Sequence, residues 1–225
     1  MWQGSWLIVR LMIIALIPAL APVVQAGEPL PVNIESRRMI NDLSPAAGTT
    51  PGHVLTLHIA NIGNWDDAVL VAGLRTAAEI LAQCRIRIAH AELLRVTAPE
   101  IHRHFDTPRS RTLARALALP KPTLYFTAGT RQLPAFDAEA IGRGNSRTRP
   151  ELTDTVWIAR GARDLGQVIA HELTHVLMDS GAHDPTPGNL MAEETSPQNT
   201  QLTARQCAQI TTTGTRNGLL QPGVD

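Results

Sequence analysis

Apolar and polar residues first alternate with a period of two over residues 53–60 (HVLTLHIA), a run rich in branched side chains. That pattern predicts a half-buried β-strand. From 65 to 83 the period lengthens. Ala68, Val69, Val71, Ala72, Leu74, Ala77, Ala78, Ile80 and Leu81 form the wide stripe of a helix packed on a sheet, with Asp66 and Asp67 near its start. Alternation returns over 85–90 through Ile86 and Ile88. Strand, long helix and strand in that order predict a parallel crossover unit. Further strands are expected at 124–127, bounded by Pro122 and Gly129, and at 154–159, with a turn at 142–146. A last helix is expected over 202–210. The pattern weakens over 99–120, read as loop or short helix. Residues 27–52, with Pro29, Pro31, Pro45 and Pro51, are read as an irregular lead-in.

A second helical stripe, Val168, Ile169, Leu173, Val176 and Leu177, follows the sequence Asp164-Leu165-Gly166-Gln167. The latter has the form of a capping box, with Asp164 as N-cap and Gln167 reaching back. Asp179-Ser180-Gly181 is the expected stop, Gly181 taking the left-handed conformation. Inside this helix lie His171, Glu172 and His175. Residues four apart stand one turn above each other, so His171 and His175 face the same way and suit one zinc ion. Glu172 is placed to reach a water on that metal. Asp179 is a poor third ligand: at 1.5 Å per residue it lies about 12 Å along the helix from His171. His183, beyond the glycine, can fold back beneath the site. A third ligand from Glu193 or Glu194 is the competing arrangement.

Composition narrows the function. The 225 residues are 44% hydrophobic and 18% charged with zero formal net charge, which gives no indication of nucleic acid or an anionic surface as partner. Residues 1–26 carry Arg10, an apolar run from 11 to 20 and Val24-Gln25-Ala26, the form of a signal peptide cut after Ala26. The mature chain is therefore expected to be secreted or periplasmic, without stable membrane association, and monomeric. In an oxidising compartment Cys84 and Cys207, the two cysteines, are expected to form a disulfide joining the early helix to the last one. His53 and His58 fall on opposite strand faces and read as surface residues. His102 and His104 share a face if extended but show no carboxylate at useful spacing.

His171-Glu172-x-x-His175, a histidine past a glycine and Met191 eight residues later resemble the metzincin branch of zinc metallopeptidases. The family pattern puts its glycine and third histidine where this chain has Met178 and Gly181, so a two-residue insertion is read before His183. The absence of a tyrosine after Met191 leaves no tyrosine ligand of the astacin kind. The resemblance implies an α+β zincin-like fold, α/β-like in its N-terminal half. A twisted mixed sheet, a long packed helix and an active-site helix would fill residues 27–181, and a small helical part 182–225. It implies one Zn2+ per chain on His171, His175 and His183, Glu172 as general base, Met191 as a structural Met-turn and a peptide or protein substrate extended along a sheet edge. Two other functions fit the same residues: an exported zinc-binding module without catalysis, and a zinc amidase acting on a cell-wall amide.

Overall fold

The computed structural model describes residues 31–41, 43, 51–133, 135 and 137–223; the proposed signal segment lies outside them. The described chain runs β1 (Asn33–Ile40), β2 (His53–Asn61), α1 (Asp67–Leu81), β3 (Ile86–Thr97), β4 (His104–Phe105), α2 (Thr107–Leu117), β5 (Thr123–Thr127) and β6 (Gly129–Thr130). Then follow β7 (Ala138–Ile141), β8 (Thr155–Ala159), α3 (Leu165–Met178), α4 (Ala204–Arg216) and β9 (Leu220–Pro222). The main sheet has the order β1-β3-β2-β5-β8-β7, and β9 pairs with the start of β2. Pairs β3/β2, β2/β5 and β5/β8 are parallel, whereas β1, β7 and β9 run antiparallel to their neighbours. This is the mixed α+β sheet expected, and β2-α1-β3 is the expected crossover.

Both faces of the sheet are covered. On one, Leu55, Leu57, Ile59, Phe126 and Ile158 pack with Leu70 and Leu74 of α1 and Ile169 and Leu173 of α3. On the other, Tyr125, Trp157 and Ile141 meet Phe105 of β4 and Leu113 of α2. Burial of strands on both faces explains why β5 and β8 read as short continuous apolar runs rather than as alternations.

Three expectations are corrected here. Part of the irregular lead-in is strand β1, an edge strand mostly exposed (NIESRRMI), so it carries no apolar alternation to read. β3 runs seven residues past the expected end. A bulge after Leu55/Ile88 leaves Ala89 unpaired, and the apolar phase resumes one residue later at Ala91 and Leu93. Residues 99–120, read as weakly patterned, contain α2, whose N-terminus is capped by Asp106. The disulfide Cys84–Cys207 is formed, tying the end of α1 to α4. Among the described residues no helix is long and apolar enough to cross a membrane.

Candidate metal centre

α3 lies under the cleft side of the sheet with twelve of its fourteen residues buried, so its register is fixed on nearly every side. Glycines make the close packing on α1 possible. A Cβ on Gly166 would stand 2.4 Å from Thr76 Cβ, and one on Gly73 3.0 Å from Leu165 Cγ. The ends of the helix differ from expectation. Asp164 is at the N-cap but in the left-handed conformation (φ 49), and its side chain makes no cap hydrogen bond. At the other end Asp179, not Gly181, is left-handed (φ 49). Its N–H reaches back to the carbonyls of His175 and Val176, and its Oδ1 accepts from the Arg143 N–H at 2.9 Å. That last bond rewards aspartate at a position where glycine is the usual choice.

The helix brings His171 and His175 together, and the chain beyond it brings His183 to them. One ring nitrogen from each lies within 4.8 Å of the other two, and among the described residues this is the single group able to hold a metal. Glu193 and Glu194 line the cleft without joining that group. His171 Nδ1 donates to the Leu190 carbonyl at 2.8 Å, and His175 Nδ1 to the Ser180 carbonyl at 2.7 Å. A carbonyl accepts only, so each Nδ1 carries the proton and each Nε2 presents a lone pair. Those two Nε2 atoms are 2.9 Å apart. Two lone pairs so close repel unless a cation lies between them, and neutral imidazole nitrogens are the donors zinc takes. The residues therefore fit a zinc ion. Burial lowers the pKa of His171 and, with the neighbouring His171 ring, that of His175 to about 4, which disfavours the protonated form of both.

Glu172 is 8% exposed and faces the same cleft. Burial, reinforced by the nearby Glu139 carboxylate, raises its pKa to about 8; a backbone hydrogen bond from Ala140 works against that rise. The cleft has a volume of about 700 Å3 and is bounded by β7, α3, the chain after Met178 and residues 193–195. β7 is the sheet edge. The Asp137 carbonyl accepts from Ala159 N–H at 2.8 Å, so by the alternation of antiparallel ladders Ala138 and Ala140 turn their backbone groups away from β8.

Beyond Gly181 the chain folds as a closed loop. Asp184 N–H donates to the Met191 carbonyl at 2.8 Å, which fixes the residue after His183 to the turn holding Met191. Met191 itself is buried in the core, 1% exposed, and its N–H donates to Asn189 Oδ1 at 2.8 Å. Asn189 in turn pairs with Gln206 of α4. Reading the sequence did not single out Gln206, although Thr203-x-x-Gln206 is a capping-box signature and that box is formed. The histidines set aside stay apart from the centre. His58 lies 4.0 Å from Glu92, and His104 Nε2 is 3.3 Å from Glu100 Oε1, a carboxylate partner that the spacing did not suggest.

The mixed sheet with helices packed on both of its faces has counterparts among solved structures. The structure is similar to that of metalloproteinase-II from Bacteroides fragilis, with TM-score 0.52 and 13% identity over 76% of this chain. The match spans 55% of that protein's chain, about half its length. A zinc-dependent peptidase from Methanocorpusculum labreanum overlaps 68% of this chain and 99% of its own at 13% identity and TM-score 0.41. No protein-family model and no curated protein matches the sequence.

Proposed function

We propose that the protein is an exported zinc-dependent endopeptidase of metzincin-like design, with His171, His175 and His183 holding one zinc ion and Glu172 as general base. The observation that carries this reading is the pair of Nε2 lone pairs 2.9 Å apart, with both tautomers set by carbonyl acceptors and a buried carboxylate beside them. A structural zinc site has no use for that carboxylate. Zinc bound there would lower the pKa of a water towards about 7 and polarise a peptide carbonyl. The rest falls to the chain. The outward backbone groups of Ala138 and the Ala140 carbonyl pair with an extended peptide as an added strand, the Ala140 N–H being held by Glu172. Glu172, whose ionised form the charge of a zinc ion beside it would favour over the neutral form that burial favours, takes the proton of the attacking water and returns it to the leaving amine. Met191 fills the core beneath the histidines and contacts no substrate. Removal of residues 1–26 on export fits the disulfide, which persists in an oxidising compartment.

Zinc content and cleavage of a mixed peptide library, measured on wild type and Glu172→Gln, test the proposal. The expected result is one zinc per chain in both proteins and a loss of cleavage of about 10³-fold in the variant, within the range of a general base. Unimpaired cleavage by Glu172→Gln, or a wild type without zinc, would overturn it.

A further inference from the structure

Gln206, in the first turn of α4, joins the segment that follows His183 to the turn whose Leu190 carbonyl holds His171. Its Nε2 donates to Asn189 Oδ1 at 3.0 Å and approaches Asp184 Oδ2 at 3.5 Å. Its Oε1 accepts from Asn189 Nδ2 at 3.1 Å and from the Thr203 N–H at 2.7 Å. Asn189 and Gln206 are buried, 2% and 8% exposed. An amide that merely satisfied itself needs one partner segment. This one meets both ends of the loop that begins at Asp184 and closes at Asn189.

Those two ends matter because of what they hold. Asn189 Oδ1 fixes the Met191 N–H, and the intervening Leu190 carbonyl is the acceptor that sets the His171 tautomer. Asp184 follows His183 directly and is bonded to the Met191 carbonyl. Gln206 also works from a fixed base. Cys207, next to it, is bridged to Cys84, and the Gln83 side chain donates to the Thr200 carbonyl at 2.7 Å. The circuit therefore runs from α3 through α1 and its disulfide to α4, then through Gln206 and Asn189 back to His171 on α3.

We infer that Gln206 is a positioning residue of the metal centre, setting the His171 ring through Asn189 and Leu190 and the approach of His183 through Asp184. The inference rests on the metal-centre reading above. Losing the amide frees the turn, so the Leu190 carbonyl no longer holds Nδ1 at one distance and the loop after His183 loses one of its two anchors. The ligands then become ordered only on binding, at a cost in affinity.

The test is the zinc dissociation constant of the full mature protein, by competition with a chromophoric chelator, together with the visible spectrum of the cobalt(II)-loaded form. Gln206→Ala is compared with Gln206→Glu, which keeps the side-chain volume but loses both amide N–H donors, and with Gln209→Ala on the same helix. Gln209 Nε2 donates to the Met178 carbonyl at 3.4 Å. Both Gln206 variants are expected to weaken zinc binding by about 10-fold or more, as outer-shell substitutions do, and to change the cobalt spectrum. Gln209→Ala should change neither, even where it lowers thermal stability. Wild-type affinity and spectrum in both Gln206 variants would overturn the inference alone. A wild type that binds neither metal would instead remove the metal-centre reading.

Discussion

Two stretches of the chain build the centre, and they are held by different means. α3 is buried on twelve of fourteen residues, and apolar packing against the sheet and α1 fixes where His171 and His175 point. Between Met178 and Ala204 there is no helix or strand, and order rests on individual hydrogen bonds instead. Ser180 to His175, Leu190 to His171, Asp184 to Met191 and Asn189 to Gln206 are the chief ones. A helix can lose one apolar contact and keep its register, because the remaining contacts repeat the same instruction. The loop has no such redundancy, so each bond removed frees a different segment. The contrast predicts that perturbing α3 costs stability first, while perturbing the loop's anchors costs the geometry of the site.

The largest expected effect comes from the frame that carries the loop, outside both stretches. Replacing both Cys84 and Cys207 with serine opens a cross-link spanning 123 residues, worth about 5 kcal/mol of stability on the chain-entropy account. Chemical denaturation should show that loss, and amide exchange should show α4 and the segment after Gly188 opening before α3 does. Uniform loss of protection across α3 and α4 would mean that the two stretches are one cooperative unit and that the contrast is wrong. A smaller effect is expected from the helix side. Gly166→Ala sets a methyl 2.4 Å from Thr76 Cβ and must push α1 and α3 apart. Overpacking of this kind costs about 1–3 kcal/mol. The better helix propensity of alanine offsets about 1 kcal/mol of that. A melting temperature above that of wild type would show that the two helices are not closely packed at this point.

The same contrast decides what could be read from the sequence. The helix wrote its period into Val168, Ile169, Leu173, Val176 and Leu177, and with the period came the common face of His171 and His175. The crossover β2-α1-β3 was legible for the same reason, since each element has one apolar face. β1 was not, because an exposed edge strand needs no apolar residues, and the far half of β3 was hidden by a bulge that shifts the phase. His183 was legible only as a histidine within reach past the helix end. Its tether to Met191, and the whole of the Asn189–Gln206 pair, depend on contacts between segments with no shared period. Hydrogen bonds across 17 residues leave no pattern in a single chain. At the helix ends, residue type misled. Asp164 looked like a side-chain cap and Gly181 like a left-handed stop, and in both cases the backbone took another course.

Gly181 gives the smallest effect and the sharpest comparison within the loop. Gly161, Gly188 and Gly218 are the glycines with positive φ among the described residues; Gly181 is not one of them, and a Cβ on it would meet nothing within 4 Å. The reversal after α3 is made by Asp179, whose left-handed backbone is secured by its bond to the Arg143 N–H. Alanine at 181 should therefore be accepted without strain and, by restricting the unfolded chain, raise stability by about 0.4–1 kcal/mol. Gly188, at φ 79 in the turn before Asn189, should behave oppositely, since alanine in the left-handed region costs about 1–2 kcal/mol. Thermal unfolding of the two variants side by side separates the cases. A gain for Gly181→Ala with a loss for Gly188→Ala would place the conformational demand in the turn that holds Leu190 against His171. A loss of more than about 1 kcal/mol for Gly181→Ala, the cost of a forced left-handed alanine, would return the helix stop to the glycine. Asp179 would then be a residue that merely ends the helix.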